Sequence, residues 1–175
     1  LKLFYDRCYK ELNDKKRKSD IEENNIITNN ILGQVEIFQP TVNEWLFLNK
    51  NNRLRTGDRI RTLNKSSVII VIINENGIQL NENSEIKIND LRYDPVTKVV
   101  NLFVEIIKGE VDFKINDKYD SINLKVLTPD GIVKNFGTIF KITITPDNKT
   151  QIDLFEGKLE IFNETEPNNK ILLNE

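Results

Sequence analysis

The sequence lacks the side chains on which most catalytic and metal sites depend. Its 175 residues include no histidine and a single cysteine, Cys8. The chain therefore has no imidazole base, no Ser-His-Asp or Cys-His pair and no internal disulfide. A zinc site built from Cys and His ligands is excluded for the same reason. We predict that the protein is not an enzyme and that it binds no cofactor and no metal.

Further absences limit the class of protein. No run of 18 apolar residues occurs, so no segment of the chain is predicted to span a bilayer. The 25 Lys and Arg residues against 27 Asp and Glu leave a net charge of −2, whereas nucleic-acid-binding domains are strongly basic. There is also no Met, so we expect a mature or trimmed chain, and a signal peptide or a membrane anchor upstream of residue 1 stays open. The length predicts one domain with an appendage.

Residues 1–32 differ from the rest of the chain because they contain no Gly and no Pro. Four apolar residues fall near helical spacing, namely Leu3, Phe4, Cys8 and Leu12. The stretch that follows is almost wholly polar and includes four consecutive basic residues at 15–18. We predict a short N-terminal helix and a polar linker that together act as an adaptor. The basic run is either a solvent-facing helix end or a patch attracted to anionic lipid.

From Gly33 onward, apolar and polar residues alternate, which is typical of strands with one buried face. The alternating stretches are 100–106, 111–115, 122–126 and 140–144. Val68–Ile73 is instead six β-branched residues in a row, which predicts a strand buried on both faces. Turn sequences such as Asn76-Gly77 and Asp130-Gly131 separate the apolar runs.

These patterns predict an all-β domain over residues 33–165, followed by a C-terminal tail at 166–175. We expect about ten to fourteen short antiparallel strands, arranged as a two-sheet β-sandwich or a flattened β-helix-like stack.

All seven glycines fall in this β region, and their contexts form an ordered series of motifs. The series begins with Leu54-Arg55-Thr56-Gly57-Asp58-Arg59-Ile60-Arg61-Thr62 and continues with Gly109-Glu110-Val111-Asp112-Phe113. It ends with Val126-Leu127-Thr128-Pro129, Gly137-Thr138-Ile139-Phe140 and Phe155-Glu156-Gly157-Lys158-Leu159. In this order and spacing, the motifs resemble the FecR domain of bacterial envelope proteins from about Gly33 to Asn163.

The resemblance implies a non-enzymatic protein-interaction domain that docks onto other envelope proteins in signalling or assembly. It also implies a location in the periplasm or on the extracytoplasmic face of the inner membrane. The expected partners are other envelope proteins and a second copy of this chain, with no nucleic acid. Two alternatives stay open: a structural scaffold or accessory component of a flagellar or secretion machine, and a cell-wall glycan-binding module.

The motif positions that we expect to be structural are Gly57, Asp58, Gly109, Thr128, Pro129, Gly137, Thr138, Phe140, Glu156 and Gly157. The glycines are interpreted as corner positions before or between strands, where a positive φ or a tight turn is needed. Gly137-Thr138 is interpreted as a place where two backbones approach closely. No strand-loop-helix unit with a lysine follows these glycines, so a phosphate-binding loop is not predicted.

The most unusual polar cluster consists of Arg53, Arg55, Arg59 and Arg61. Period two puts each pair of arginines on one face of a strand, and a turn at 56–58 would bring the two pairs together. Four guanidinium groups could clamp a carboxylate-rich or phosphorylated partner. The alternative is the polar side of an exposed hairpin, with Asp58 and nearby glutamates as partners. Trp45 is interpreted as a core or rim residue, with a sugar-stacking platform as its alternative.

Overall fold

Twelve β-strands form the regular structure of the chain in a computed structural model that describes residues 26–72, 76–116, 122–163 and 166–174. β-Branched and aromatic residues are frequent in these strands, as their preference for pleated, half-buried surfaces predicts. The strands are β1 Ile27–Leu32, β2 Val35–Gln39, β3 Glu44–Phe47, β4 Arg59–Thr62, β5 Ser67–Val71, β6 Gly77–Leu80, β7 Glu85–Asp94, β8 Val99–Lys114, β9 Ile122–Thr128, β10 Gly131–Ile144, β11 Thr150–Asn163 and β12 Glu166–Asn174.

Hydrogen bonds connect the twelve strands into one open sheet. Its main path runs β12-β11-β10-β9-β8-β7-β4-β2-β3, and a branch β1-β5-β6 joins it at β8. Neighbouring strands are antiparallel except for β8 and β9, which run parallel. The sheet is therefore mostly built from neighbours that short turns can join, as in the two-residue turn between Thr128 and Gly131.

The sheet branches because β8 is long enough to serve two sets of neighbours. The first part of its 16 residues pairs with β7 on one side and β9 on the other. Its last part pairs with β6 and β10 instead. The exchange of partners on the β6–β7 side falls at Gly109, whose φ of 87° is left-handed. A β-carbon built there would lie 2.5 Å from the Cα of Ser84, so glycine lets the two backbones touch.

One continuous hydrophobic cluster contains buried residues from both branches of the sheet. It includes the predicted set Val100, Leu102, Val104 and Ile106, all at most 3% exposed. At its centre, the rings of Phe113 and Phe140 lie 4.6 Å apart and nearly parallel, because the two residues are direct cross-strand neighbours. The predicted inward orientation of the alternating apolar residues on β8, β9 and β10 is therefore confirmed.

Residues 68–71 of the predicted run of β-branched residues lie in strand β5. The prediction that this strand is buried on both faces holds for its described residues. Val68, Ile69 and Ile70 are all at most 3% exposed, so both faces of this strand are covered. β5 lies between β1 and β6, which pair with its two edges.

The all-β prediction is confirmed, but the predicted two-sheet β-sandwich or β-helix-like stack is wrong, because a single open sheet forms. The physical reason is strand length: β10 and β11 each have 14 residues, and with β8 they extend hydrogen bonding from one branch into the other. Alternation along the sequence cannot show that a strand changes partners midway. The predicted N-terminal helix at Leu3–Leu12 lies outside the described residues.

The sheet also extends past both ends of the predicted β domain at 33–165. Ile27–Leu32, assigned above to the linker, is strand β1, and the preceding Ile26 is 2% exposed in the core. Glu166–Asn174, assigned to a C-terminal tail, is β12 and pairs with β11. β1 depends on a distant partner, β5, whereas β12 pairs with the strand directly before it, and the polar composition of the two segments reveals neither pairing.

Candidate binding surface

The turn before β4 is held together by Asp58 and Gly57. The Asp58 carboxylate accepts a hydrogen bond from the Arg55 backbone N–H at 2.9 Å, and the Asp58 N–H donates to the Arg55 carbonyl at 3.1 Å. Gly57 has a φ of 93° and donates its N–H to Ile88 at 2.7 Å. Burial raises the pKa of Asp58, while the Arg55 hydrogen bond and charge lower it. Asp58 therefore organises the turn and is not an exposed partner for the arginine side chains.

Beyond this turn, Arg59 and Arg61 form ion pairs across β4. Arg59 pairs with Glu85 on β7, and its Nε lies 3.0 Å from the Glu85 carboxylate. Arg61 pairs with Glu36 on β2, with both Nε and Nη2 2.6 Å from one carboxylate oxygen. Both guanidinium groups are therefore already neutralised by carboxylates of this chain.

Trp45 lies on the same outer face of the sheet, on the edge strand β3. The Arg61 guanidinium carbon is 3.9 Å from the centroid of the Trp45 ring, a cation–π contact. The Phe38 ring on β2 also contacts the Trp45 ring, with ring centroids 5.7 Å apart and ring planes tilted by 55°. Trp45 is half-buried, so the rim interpretation describes it. Sequence reasoning missed its contact with Arg61, because β2 lies between β3 and β4 and no local pattern indicates that order.

Arg53 and Arg55 are exposed and lie apart from this ladder of ion pairs. They belong to the segment that leaves β3 and runs beside β1, where Asn51 donates to the Thr28 carbonyl at 2.7 Å. Among the described residues, neither arginine has an ion-pair partner. The structure thus divides the predicted four-arginine cluster into a neutralised pair on β4 and an exposed pair in the loop.

β3 is the last strand of the main path, and no described strand pairs with its outer side. Leu46 and Phe47 on this strand are 40% and 70% exposed. The cations Lys50, Arg53 and Arg55 are also exposed, but they belong to the segment after β3, which bonds first to β1 and then to β7.

A second polar cluster lies on the outer face of β6, β8 and β10, and the sequence did not single it out. Asn81 donates to the carboxylates of Glu110 and Asp112, each at 2.7 Å. The Lys141 ammonium lies 2.9 Å from Glu110 and 3.9 Å from Asp112. The alternation of Asp112 and Lys141 with apolar neighbours indicated only that they face away from the core, and which residues meet depends on strand register.

Burial raises the pKa of Asp112, and its hydrogen bond from Asn81 and the charge of Lys141 only partly oppose that effect. For Lys141, partial burial lowers the pKa, but the hydrogen bond to Glu110 and the charge of Asp112 outweigh it and the net shift is upward. Lys141 binds mainly to Glu110 and lies farther from Asp112. For this reason the pKa values of both Lys141 and Asp112 can be raised. The carboxyl group of Asp112 is therefore buried without a counter-charge that fully offsets the effect of burial on its pKa.

The Thr128-Pro129 motif forms the turn between β9 and β10. Thr128 donates its hydroxyl to the Gly131 carbonyl at 2.9 Å and is 7% exposed, while Pro129 begins the two-residue turn that these residues close. Proline fits there because its ring presets the φ of the first turn position. This motif is a hairpin device and contributes no reactive group.

The remaining motif residues form paired irregularities inside long strands, not corners between strands. Gly137 and Gly157 have φ values of 63° and 91° and lie within β10 and β11, where the pairing register shifts. Thr138 is 1% exposed, and its carbonyl accepts a hydrogen bond from Ile115 at 2.9 Å. Glu156 is exposed beside Gly157. The expected positive φ is present at Gly57, Gly109 and Gly157, and the backbones at Gly137 and Gly157 do approach closely. Gly109 and Gly157 lie inside β8 and β11, however, and not before or between strands.

Over the described ranges, no group of three or more His, Cys, Asp or Glu side chains could hold a metal ion. Within the same part of the chain, no helix has the length and apolar character needed to cross a bilayer.

Comparison with known proteins identifies the family. A family model described as FecR protein matches residues 58–160, more than half of the chain. The chain belongs to the FecR family. The match contains nine of the ten predicted FecR motif residues, and Gly57 directly precedes it. No curated protein matches the sequence.

Two solved structures are similar to this FecR chain, both crystal structures of a predicted anti-sigma factor from Parabacteroides distasonis ATCC 8503, at 1.65 Å and 2.50 Å resolution. They share 18% identity with it over 66% of its length, with TM-scores of 0.48 and 0.49. The FecR chain spans half the length of each of these solved chains.

Proposed function

We propose that this FecR domain is a non-enzymatic docking module on the extracytoplasmic side of a bacterial envelope, where it binds another envelope protein in signalling or assembly. The family match over residues 58–160 is the observation on which the proposal rests. The described side chains are consistent with it, because the motif residues of the FecR pattern form turns and close backbone contacts.

Two features of the described surface support docking. Asp58 and Asp112, the two carboxylates whose pKa burial raises, are held by hydrogen bonds to Arg55 and Asn81. β3 and the segment after it, in contrast, expose the apolar side chains of Leu46 and Phe47 and the cations Arg53 and Arg55. Exposed apolar and arginine side chains are typical of protein interfaces.

The test is affinity capture with the full chain from extracts of its native envelope, followed by mass spectrometry. We expect one envelope protein to be retained, and fractionation to place the complex in the periplasm or at the inner membrane. A captured sigma-regulating system would assign the docking to signalling, whereas flagellar or secretion components would assign it to a scaffold.

A glycan-binding module is the competing outcome, and purified peptidoglycan provides its test. If the chain co-sediments with peptidoglycan and retains no envelope protein, the docking proposal is wrong. Trp45 gives this alternative little support, because the Arg61 guanidinium already lies over its ring and the Phe38 ring packs against it.

A further inference from the structure

Strand register brings three lysines together on the outer face of the sheet. Lys125 on β9 lies directly opposite Lys134 on β10, and Lys158 on β11 lies opposite Phe136, two residues further along β10. Successive residues of a strand point to opposite faces, so the lysines point away from the core in which their neighbours are buried. These buried neighbours are Leu124, Val126, Val133 and Leu159. We use the term lysine face for Lys125, Lys134, Phe136 and Lys158.

The charges of the lysine face are not neutralised by the part of the chain that the structure describes. None of its three lysines forms an ion pair with a described residue, and the described carboxylate beside Lys134, Glu160, is paired with Lys170 at 2.7 Å. Like charges directly opposite each other destabilise a sheet. The pair of Lys125 and Lys134 is therefore unfavourable until an anion from another molecule lies between them.

The pKa of Glu160 shows how close these charges lie. The hydrogen bond from Lys170 lowers it most, and the charges of Lys170, Lys134 and Lys158 lower it further, although desolvation opposes them. One carboxylate thus lies within the field of several lysines, and the excess charge of this surface is positive.

Apolar side chains lie among these cations. Phe136 is 40% exposed, and the Nζ atoms of Lys134 and Lys158 lie 5.0 Å and 5.8 Å from the centroid of its ring. Ile132, two residues before Lys134, is only 4% exposed although it does not belong to the core cluster. The solvated face of an antiparallel sheet is usually polar, whereas apolar side chains with a polar rim are typical of protein interaction sites.

A groove of about 230 Å³ lies beside Lys125 and continues the lysine face across β8 and β9. Two amide side chains cross it, since the Asn123 Nδ2 donates to the Asn101 Oδ1 at 3.0 Å. The groove is lined by apolar as well as polar side chains, among them Phe103, Ile132, Arg92, Asn101 and Asn123. It can therefore receive an apolar side chain of a partner at one end of the row of lysines.

Other surfaces and other anions fit less well. Leu46 and Phe47 on β3 are exposed too, but the cations after β3 lie along β1 and β7, so charge indicates no partner for that edge. Clusters that bind anionic lipid typically contain about four to eight basic residues, whereas the lysine face contains three. An acidic protein segment needs fewer cations, because its carboxylates and apolar side chains can bind together.

We propose that the lysine face is the docking site of this domain and that it binds an acidic segment of a partner protein that also carries an apolar side chain. The proposal rests on the proposed docking function and specifies its site and the chemistry of the partner. Carboxylates two residues apart in an extended segment are separated by about 6.6 Å, close to the distance of about 7–8 Å between diagonal neighbours such as Lys134 and Lys158. They would also relieve the repulsion between Lys125 and Lys134.

The probe is a capped, dye-labelled seven-residue peptide with phenylalanine at its centre and three glutamates on each side, and its twin has lysine at each glutamate position. Fluorescence anisotropy measures the binding of both peptides to the full chain. We expect the acidic peptide to bind about tenfold or more tightly than the lysine twin. Its affinity should fall as salt is added, because exposed charges are screened. Failure of the acidic peptide to bind the parent would show that the proposal is wrong.

Two double variants with the same net charge test the position of the site. Lys134→Gln with Lys158→Gln removes two charges from the lysine face, whereas Lys50→Gln with Lys65→Gln removes two exposed charges elsewhere. We expect the first variant to bind the acidic peptide about tenfold or more weakly and the second to change the affinity by less than about twofold. Circular dichroism checks that both are folded. Equal losses in the two variants would mean that net charge, and not the lysine face, attracts the peptide.

Phe136→Ala tests the apolar contact because it keeps every cation. We expect it to weaken the acidic peptide by about threefold or more while the salt dependence stays the same. An unchanged affinity would contradict the role of Phe136 in the site.

Vesicles of phosphatidylglycerol and phosphatidylethanolamine, and the native partner, complete the test. Sedimentation of the parent with these vesicles, lost in Lys134→Gln with Lys158→Gln and without binding of the acidic peptide, would assign the lysine face to the membrane and overturn the proposal. Retention of the native envelope partner by this double variant would overturn the site while leaving the docking function intact. If the parent itself retains no envelope protein, the docking function fails.

Discussion

Gly157 on β11 lies against the backbone of Gly137 on β10, so closely that a β-carbon added to Gly157 would be 2.2 Å from the Gly137 carbonyl oxygen. The two glycines therefore form one feature, a double irregularity where both strands lose regular register. This contact explains why the family motifs around the two residues occur together, although 20 positions separate them in the sequence.

We expect Gly157→Ala to lower the free energy of unfolding by about 2 kcal/mol or more, because the substitution adds a backbone clash to a left-handed φ of 91°. The neighbouring Glu156→Ala removes an exposed side chain and should change the stability by about 0.5 kcal/mol or less. Urea denaturation followed by circular dichroism measures both variants. Similar midpoints for the two would contradict the close approach of β10 and β11.

The stacked pair Phe113 and Phe140 provides a test of the core. Phe140 is 1% exposed, so Phe140→Ala should cost about 3–5 kcal/mol through lost burial and the cavity left behind. Lys125→Ala on β9, which removes an exposed side chain, is the matched control. Thermal melting compares the two, and a small effect of Phe140→Ala would mean that the strand register is wrong.

The lysine next to Phe140 should behave differently from an exposed surface residue. Lys141 is only 22% exposed and lies between Glu110 and Asp112, so Lys141→Ala leaves two neighbouring carboxylates without their counter-charge. We expect a loss of about 1–2 kcal/mol at neutral pH. The loss should shrink in acid as Asp112, whose pKa is raised by burial, becomes protonated, and an effect that is independent of pH would contradict this explanation.

The first strand of the sheet predicts where the chain can be shortened. A chain that begins at Ile26 keeps β1, whereas a chain that begins at Gly33 loses β1, leaves an edge of β5 unpaired and removes the buried Ile26 from the core. Each large apolar side chain lost from the core costs about 1.5–3 kcal/mol. We expect the first chain to unfold cooperatively and the second to aggregate or melt many degrees lower. Differential scanning calorimetry decides between them, and equal melting temperatures would mean that β1 is dispensable.

The buried carboxyl of Asp112 predicts a dependence of stability on pH. Its pKa is raised in the folded state, so its stabilising contribution is fully present below the unfolded pKa of about 3.9 and is lost as pH rises through the folded pKa. Asp112→Asn cannot ionise and keeps an amide oxygen for Asn81. The variant should therefore gain stability relative to the parent between about pH 3 and about pH 7.

The control for this prediction is Asp153→Asn, which changes a carboxylate opposite Lys141 on the neighbouring strand β11. Free energies of unfolding are measured by urea titration across the pH range for both variants and the parent. A constant difference between Asp112→Asn and the parent at every pH would mean that Asp112 does not titrate as its burial requires.

Local patterns were sufficient where one strand face is buried along its whole length. The alternation of Val100 to Ile106 and of Phe140 to Ile144 predicted which side chains enter the core, because successive residues of a strand point to opposite faces. Likewise, Asp130-Gly131 predicted the turn that joins β9 and β10. The family motifs also identified the FecR family, which the match over 58–160 confirms.

Local patterns were insufficient where partners change or where a segment depends on a distant strand. Nothing near Gly109 in the sequence shows that β8 exchanges β7 for β6 there, because register depends on contacts with Ser84 and the residues around it. The polar composition around β1 concealed a strand whose place depends on pairing with β5.

The sequence by itself determined that the described domain would be a β structure, because the period of apolar residues is a local property. It also determined that this domain would contain no site built on histidine or cysteine, because residue types are read directly from the sequence. Only the tertiary structure decided which charges remain available: Arg59 and Arg61 meet Glu85 and Glu36 across neighbouring strands, while Arg53 and Arg55 have no described acidic partner. The physical reason is that ion pairing in a sheet depends on strand order and register, which arise from the cooperative packing of the whole core.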